Sequence, residues 1–206
     1  MSAPRPCGAC EGTGKVRCVK CRGKGVGRTA SAVGRMSRKK GSVAELRVAK
    51  MMEVASGLPS GSIRRTPSSG ALIERADLRM SDEAQAVYPF FPEIKNREGW
   101  DFWTVEGDAW PPARWHHDAV AKRAVQLKFG TAVDGYPVML VLLRKHCAPR
   151  VMFALDDLER LPEGQRTVLG LDPMLTVGTN YVVFDLETFL KDWCVYWVPV
   201  VRRGGG

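Results

Sequence analysis

Three residues in the middle of the chain have the types and spacing needed to cleave a phosphodiester bond. Glu93-Ile94-Lys95 reads as part of a strand, where side chains alternate between faces, so Glu93 and Lys95 share a face while Ile94 points into the core. Asp77 lies in the predicted strand before it. Two carboxylates on neighbouring strands offer the oxygen ligands that Mg²⁺ prefers, with Mn²⁺ as the alternative. A lysine beside them can orient or deprotonate a water and stabilise charge at the phosphate.

A third carboxylate, Glu45, lies in a helix predicted from Ser42 to Gly57. Ser42 can cap this helix and Gly57 can stop it. Two interpretations of Glu45 stay open. It closes a capping box with Ser42, or it points inward on the face that carries Ala49 and Met52, where an acid needs a cation.

Each acid also has an ordinary structural explanation. Asp77 and Glu93 taken singly are more often surface charges, and a Glu-x-Lys pattern occurs by chance in many strands. The order of the set and its placement on suitable elements favour a metal-dependent catalytic site over that explanation. This hypothesis requires Asp77, Glu93 and Lys95 to converge within a few ångströms, with Glu45 nearby.

Four of the six cysteines form two C-x-x-C pairs near the start of the chain, Cys7 with Cys10 and Cys18 with Cys21. Two such pairs suit tetrahedral Zn²⁺. Disulfides are disfavoured because the first residues show no export signal, and we expect a cytoplasmic protein. The repeated C-x-x-C-x-G-x-G pattern resembles the cysteine-rich zinc region of DnaJ-type chaperones, which implies zinc and not the chaperone role.

Positive charge is concentrated in the first quarter of the chain. Residues 1–50 hold 13 Lys or Arg against two acids, whereas the remainder holds 18 against 20. Such a block attracts phosphate backbones, and we expect a nucleic-acid partner rather than a merely solubilising tail. The predicted divisions are a zinc module at 1–26, a basic flexible linker at 27–40 and a main domain at 41–206. No apolar run approaches the length of a membrane span.

The hydrophobic pattern of the main domain predicts an α/β or α+β fold, a mixed β-sheet flanked by helices. The predicted strands cover residues 62–65, 76–78, 87–95, 137–143, 150–154, 181–184 and 195–201. The predicted helices cover 42–57, 115–129 and 186–193. Residues 81–92 look like an insertion between Asp77 and Glu93.

Several other residues have two interpretations. The four tryptophans at 100, 103, 110 and 115 could stack bases, and we favour packing over the core. Lys122, Arg123 and Lys128 either extend the basic surface or form the wet side of a helix. Cys147 and Cys194 stand alone in apolar surroundings and are predicted to be buried.

Four short motifs in a fixed order resemble archaeal-type Holliday junction resolvases and their phage relatives, of the PD-(D/E)xK kind. They are Lys40-Gly-Ser-x-x-Glu45, Arg65-Thr-Pro-Ser-Ser-Gly-Ala71, Ala76-Asp77-Leu78 and Glu93-Ile-Lys95. The resemblance implies a restriction-endonuclease-like fold, with Glu45, Asp77 and Glu93 at the magnesium and Lys95 as the catalytic lysine. Arg65, Ser68 and Ser69 would lie on the loop near the scissile phosphate. The predicted DNA contacts are these three with Lys39, Lys40 and Arg64.

The expected function is therefore a Mg²⁺-dependent endonuclease that acts as a homodimer on four-way DNA junctions. Two alternatives stay open. One is a restriction-like or repair nuclease with another substrate, and the other is a zinc-ribbon nucleic-acid-binding protein without catalysis.

Overall fold

A computed structural model describes residues 6, 11, 30–66, 76–98, 100–101, 110–130, 132–159, 161, 175–177 and 180–204. The chain divides into two compact units, residues 1–42 and 43–206. The four cysteines of the predicted zinc module, and Ser68 and Ser69, lie outside the described residues.

Twelve elements follow one another along the described chain. The helices are α1 (Ala30–Ser56), α2 (Asp82–Val87), α3 (Pro111–Lys128), α4 (Leu155–Glu159) and α5 (Leu186–Gly204). The strands are β1 (Ile63–Arg65), β2 (Leu78–Met80), β3 (Phe91–Asn96), β4 (Val138–Leu143), β5 (Arg150–Ala154), β6 (Leu175–Val177) and β7 (Tyr181–Asp185). None of the described helices is long and apolar enough to cross a membrane.

Five strands form one mixed sheet in the order β3-β4-β5-β7-β6. The pair β3 and β4 is parallel, and the other neighbours are antiparallel. The parallel pair is joined through α3, as a crossover connection requires. The strands β1 and β2 pair separately as a two-stranded antiparallel ribbon. This architecture confirms the predicted mixed sheet with helices.

The sheet has a hydrophobic core on each face. Along the fully buried β4, Met139 and Val141 join the larger core, whereas Leu140 and Leu142 join the smaller one. The larger core includes side chains from α1 and α5, such as Met52 and Trp193. The smaller core includes Trp100, Trp110 and Ala113. Burial of the two tryptophans confirms their predicted packing role.

The helix α1 begins earlier than predicted. It starts at Ala30 instead of Ser42, so residues 30–40, assigned to a flexible linker, are helical. Residues 30–40 are rich in Ala, Arg, Met and Lys, which are strong helix formers and outweigh the single glycine among them. Ser42 is inside the helix, and its Oγ donates to the Arg38 carbonyl oxygen at 3.0 Å. The predicted capping box is therefore wrong. The predicted stop is confirmed, since α1 ends at Ser56 and Gly57 has φ +67°.

One further prediction of local structure is wrong, and one segment without a predicted element is helical. The insertion-like residues 81–92 include α2, whose N-cap is Ser81; the Ser81 Oγ accepts from the Ala84 N–H at 3.2 Å. Asp82 and Glu83 lie in its first turn, where their negative charges interact favourably with the helix dipole. The predicted last strand, 195–201, belongs to α5, which continues to Gly204.

Candidate active site

The strand β3 directs Glu93 and Lys95 toward α3. Glu93 is completely buried, and its Oε1 accepts from Lys95 Nζ and from Lys122 Nζ of α3. Ile94 points to the larger core on the opposite face, as predicted. Lys122 is an addition to the predicted set. The sequence left Lys122 either on a basic surface or on the wet side of a helix, and only the tertiary packing of α3 on β3 reveals its contact with Glu93.

Backbone hydrogen bonds hold Asp77 beside this strand. The Asp77 N–H donates to the Pro92 carbonyl oxygen at 3.3 Å, and the Ile94 N–H donates to Asp77 Oδ2 at 2.7 Å. The Asp77 carbonyl oxygen accepts from the Thr66 N–H at 3.0 Å. Asp77 thus lies where the ribbon of β1 and β2 meets the main sheet, immediately before β2. Asp77 and Glu93, referred to below as the carboxylate pair, lie on adjoining segments, although Asp77 precedes β2 instead of lying within the predicted strand 76–78.

Burial and the charge of Glu93 affect the carboxyl group of Asp77. Burial, and then the negative charge of Glu93, raises the pKa of Asp77 from 3.8 to about 7. The Ile94 N–H and the charges of Lys122 and Lys95 oppose this rise. Such a shift is common at catalytic sites, where like charges are held together in a low dielectric.

One oxygen of the carboxylate pair lacks a partner. Glu93 Oε2 is buried and receives no hydrogen bond from any residue that the structure describes. The two lysines contact the other oxygen of Glu93, so a cation at Oε2 would supply the contact that this buried oxygen lacks. Two carboxylates suit Mg²⁺, which takes its remaining ligands from water and substrate phosphate. No group of three or more His, Cys, Asp or Glu side chains that could hold a metal occurs in the described part of the chain.

Glu45 has a different partner in the structure. Its Oε2 accepts from Arg65 Nε at 2.5 Å, an ion pair that links α1 to β1. The predicted contribution of Glu45 to the metal site, and that of Arg65 to the phosphate site, stay predictions. Arg64 is exposed, with its Nε donating to the Gly61 carbonyl oxygen at 2.7 Å. Lys39 and Lys40 are exposed on α1, and their contact with DNA is likewise untested.

Comparison with protein families identifies the chain. The model of a family described as "Phage putative PDDEXK endonuclease" matches residues 36–195, more than half of the chain. The chain belongs to this family. It is therefore a nuclease, a phosphodiester hydrolase of a class that typically uses a divalent metal. No curated protein and no solved structure gives a significant match.

This PDDEXK endonuclease has a second buried ionic group, formed by His116, Arg123 and Asp157 and referred to below as the α3–α4 cluster. The Arg123 guanidinium contacts both oxygens of Asp157, at 3.4 and 3.3 Å. The Val138 N–H also donates to Asp157 Oδ2, at 3.3 Å. Arg123 is therefore neither a surface cation nor part of the wet side of α3.

His116 packs beside Asp157 without a hydrogen bond. Its Nε2 lies 3.9 Å from Asp157 Oδ2, and neither ring nitrogen has a hydrogen-bond partner among the described residues. Burial lowers the pKa of His116 from 6.5 to about 4, so the ring is neutral at neutral pH. The cluster joins α3, α4 and β4 and has a structural role.

The lone cysteines differ from their prediction as well. Cys147 is exposed, in the turn between β4 and β5, so its predicted burial is wrong. Cys194 is half-buried on α5, and its Sγ lies 3.1 Å from the Tyr88 hydroxyl.

Proposed function

We propose that the chain is a Mg²⁺-dependent DNA endonuclease whose cleavage site consists of Asp77, Glu93, Lys95 and Lys122. The observation that carries this proposal is the unpartnered Glu93 Oε2 beside a second buried carboxylate, with two lysines on the other oxygen. Complete burial of Glu93 argues against an ordinary surface ion pair with Lys95.

The carboxylate pair would hold a divalent cation. When bound, such an ion supplies the positive charge that favours ionisation of an attacking water and stabilises the leaving 3′-oxygen. Lys95 and Lys122 are partly exposed, at 21% and 31% of their side chains. Their ammonium groups can therefore donate to a non-bridging phosphate oxygen and align the water for attack.

The substrate proposed is a four-way DNA junction, cut by a homodimer with one nick in each of two strands. The support is the order of motifs from Lys40 to Lys95, which resembles junction resolvases. The basic first quarter of the chain adds sequence-independent attraction to DNA. Restriction-like or repair substrates are the alternatives, and they share the same cleavage chemistry.

The four N-terminal cysteines are proposed to bind one Zn²⁺. Their two C-x-x-C pairs support this, and the metal would fold the segment. Metal analysis of purified protein is expected to give one zinc per chain, lost in a Cys18→Ser, Cys21→Ser variant. Full-length protein without bound zinc at any stage would contradict it.

The test of the proposed function is cleavage of a labelled synthetic four-way junction, compared with linear duplex and single strand, in Mg²⁺ or EDTA. Wild type is compared with Asp77→Asn and Lys95→Ala, and the exposed Asp156→Asn and Lys128→Ala serve as matched controls. Paired Mg²⁺-dependent nicks at the junction, absent in the first two variants only, would establish a resolvase. Cleavage of linear duplex as well keeps the nuclease and removes junction specificity. Binding without cleavage in any divalent metal overturns catalysis at this site.

A further inference from the structure

A pocket of about 180 Å³ lies beside the carboxylate pair. Its lining includes Ala76 and Leu78, the residues on either side of Asp77, and Pro92, the residue before Glu93. Gln126 of α3 also lines it, one helical turn after Lys122. The pocket is thus lined by sequence neighbours of Asp77 and Glu93 and by a residue one helical turn from Lys122, which places it next to the proposed cleavage site.

The surface of the pocket is more polar than apolar, and most of its hydrogen-bonding side chains are neutral. Phe91 contributes an aromatic surface, and Gln85, Gln126 and Tyr136 contribute two amides and a phenol. Among the lining residues only Arg79 carries a formal charge. A pocket for a free phosphate would present several cations, and one for an alkyl chain would lack the amides.

One of the amides is fixed in place before any ligand enters. Gln85 Nε2 donates to the Tyr88 carbonyl oxygen at 3.1 Å, which holds the side chain in the wall. Gln126 is almost completely buried, so its orientation is also restricted by packing. Fixed hydrogen-bonding groups beside an aromatic surface are what the edge and face of a planar heterocycle require.

We propose that this pocket binds one nucleobase of the strand that is cut at the carboxylate pair, turned out of the helical stack. The inference rests on the proposed nuclease function and narrows its substrate. Turning a base out is least costly where it is already unpaired. Cleavage should therefore favour phosphates next to a branch point, a bulge or a mismatch over phosphates in continuous duplex.

The test compares two duplexes that differ at one nucleotide, an unpaired adenine or an unpaired abasic residue at the same place. Affinity is measured by fluorescence anisotropy with Ca²⁺ in place of Mg²⁺, and cleavage is measured separately in Mg²⁺. Wild type is expected to bind the adenine bulge about tenfold more tightly than the abasic bulge, the usual size of a base-stacking contribution.

Two variants should remove this preference. Val133 lines the pocket and is 49% exposed, so the larger side chain of Val133→Trp should fill the pocket from its rim. The second variant, Gln85→Leu, removes an amide whose orientation is fixed. Val54→Trp, at a 67% exposed position on α1, is the matched control and should keep the preference. Equal binding of both duplexes by wild type, or a preference that both pocket variants retain, overturns the proposal.

The two proposals fail in different ways. If the protein cleaves DNA but binds the adenine and abasic bulges equally, the nuclease proposal stands and the base-pocket proposal is overturned. Discrimination without cleavage in any divalent metal keeps the pocket and removes the catalytic proposal. Neither cleavage nor discrimination overturns both.

Discussion

Two buried ionic groups share α3, and they differ in what is left unpartnered. In the carboxylate pair the unpartnered atom is an anionic oxygen, Glu93 Oε2, next to a second acid. In the α3–α4 cluster Asp157 is held by Arg123 and a backbone N–H, and the unpartnered atoms belong to the neutral ring of His116. A buried carboxylate oxygen without a hydrogen bond costs more free energy than a neutral ring without one, because hydrogen bonds to charged groups are the stronger ones.

This difference distinguishes a site that a bound ligand would stabilise from one whose charges are already paired within the protein. Balanced charges, as around Asp157, stabilise the fold and offer nothing to a substrate. At Asp77 and Glu93 the two lysines contact one oxygen of Glu93, so the repulsion between the carboxylates is only partly offset and a bound cation would relieve it. The two groups should therefore respond in opposite ways to similar substitutions.

The largest expected effect is the loss of catalytic activity in the Asp77→Asn variant. Removal of one carboxylate should lower cleavage by about 1000-fold or more, since metal affinity and charge stabilisation are both lost. The amide oxygen can still accept from the Ile94 N–H, and the repulsion with Glu93 disappears. Metal-free stability, measured by urea unfolding, should therefore be unchanged or higher. A loss of several kcal/mol in that measurement would mean that Asp77 is structural.

The second prediction concerns the equivalent change in the α3–α4 cluster. Asp157→Asn leaves the buried Arg123 without its counterion, which should lower the free energy of unfolding by about 3 kcal/mol. Cleavage per folded molecule should stay near the wild-type rate. Asp156→Asn, the exposed neighbour in α4, is the control and should change stability little. A normal urea midpoint for Asp157→Asn would remove the contrast between the two groups.

The third prediction is a pH dependence of stability that originates in His116. Its pKa is about 4 in the folded protein and 6.5 when unfolded, so the unfolded chain binds the proton first as pH falls. Its contribution is fully present above pH 6.5 and decreases by about 3 kcal/mol as pH falls to about 4. His116→Phe should flatten this part of the profile relative to wild type, and exposed His117→Gln should not. Parallel profiles for wild type and His116→Phe would contradict the assignment.

The smallest effect is expected for Lys122→Gln. Loss of one partly exposed ammonium from Glu93 should lower cleavage by about 10- to 100-fold, with little change in stability. Arg123→Gln, at the next position, should have the opposite pattern: a clear loss of folding stability with little change in the cleavage rate per folded molecule. Lys128→Gln, exposed at the end of α3, controls for lost basic charge. Equal losses of activity for Lys122→Gln and Lys128→Gln would mean that Lys122 acts only through general attraction to DNA.

The local sequence pattern, that is, the alternation of side chains and the apolar runs, predicted much of the sheet and part of the site. Alternation along β3 correctly placed Glu93 and Lys95 opposite Ile94, because a two-residue period needs no knowledge of distant residues. The strand Arg150–Ala154 was predicted with its observed bounds, since a dense apolar run between turn residues has few alternatives.

The failures involve information that is not local. Lys122 is 29 residues from Glu93, and its contact depends on how α3 packs on β3. Residues 35–40 of α1 are exposed, and the sequence from 30 to 40 has no apolar stripe, so periodicity could not reveal this part of the helix. Residues 195–201 have strand-like composition, but they follow a helix anchored by Phe189, Leu190 and Trp193.

The adjacent positions of Lys122 and Arg123 also determine which sequence changes α3 can tolerate. Consecutive residues on an α-helix point about 100° apart, so one helix supplies a different side chain to each ionic group. Substitutions at exposed positions such as Arg114, Asp118 and Lys128 should disturb neither ionic group. One residue inserted between Pro111 and Lys122 would rotate both side chains away from their partners together. Lineages of this endonuclease should therefore diverge along α3 by substitution, while its length stays constant.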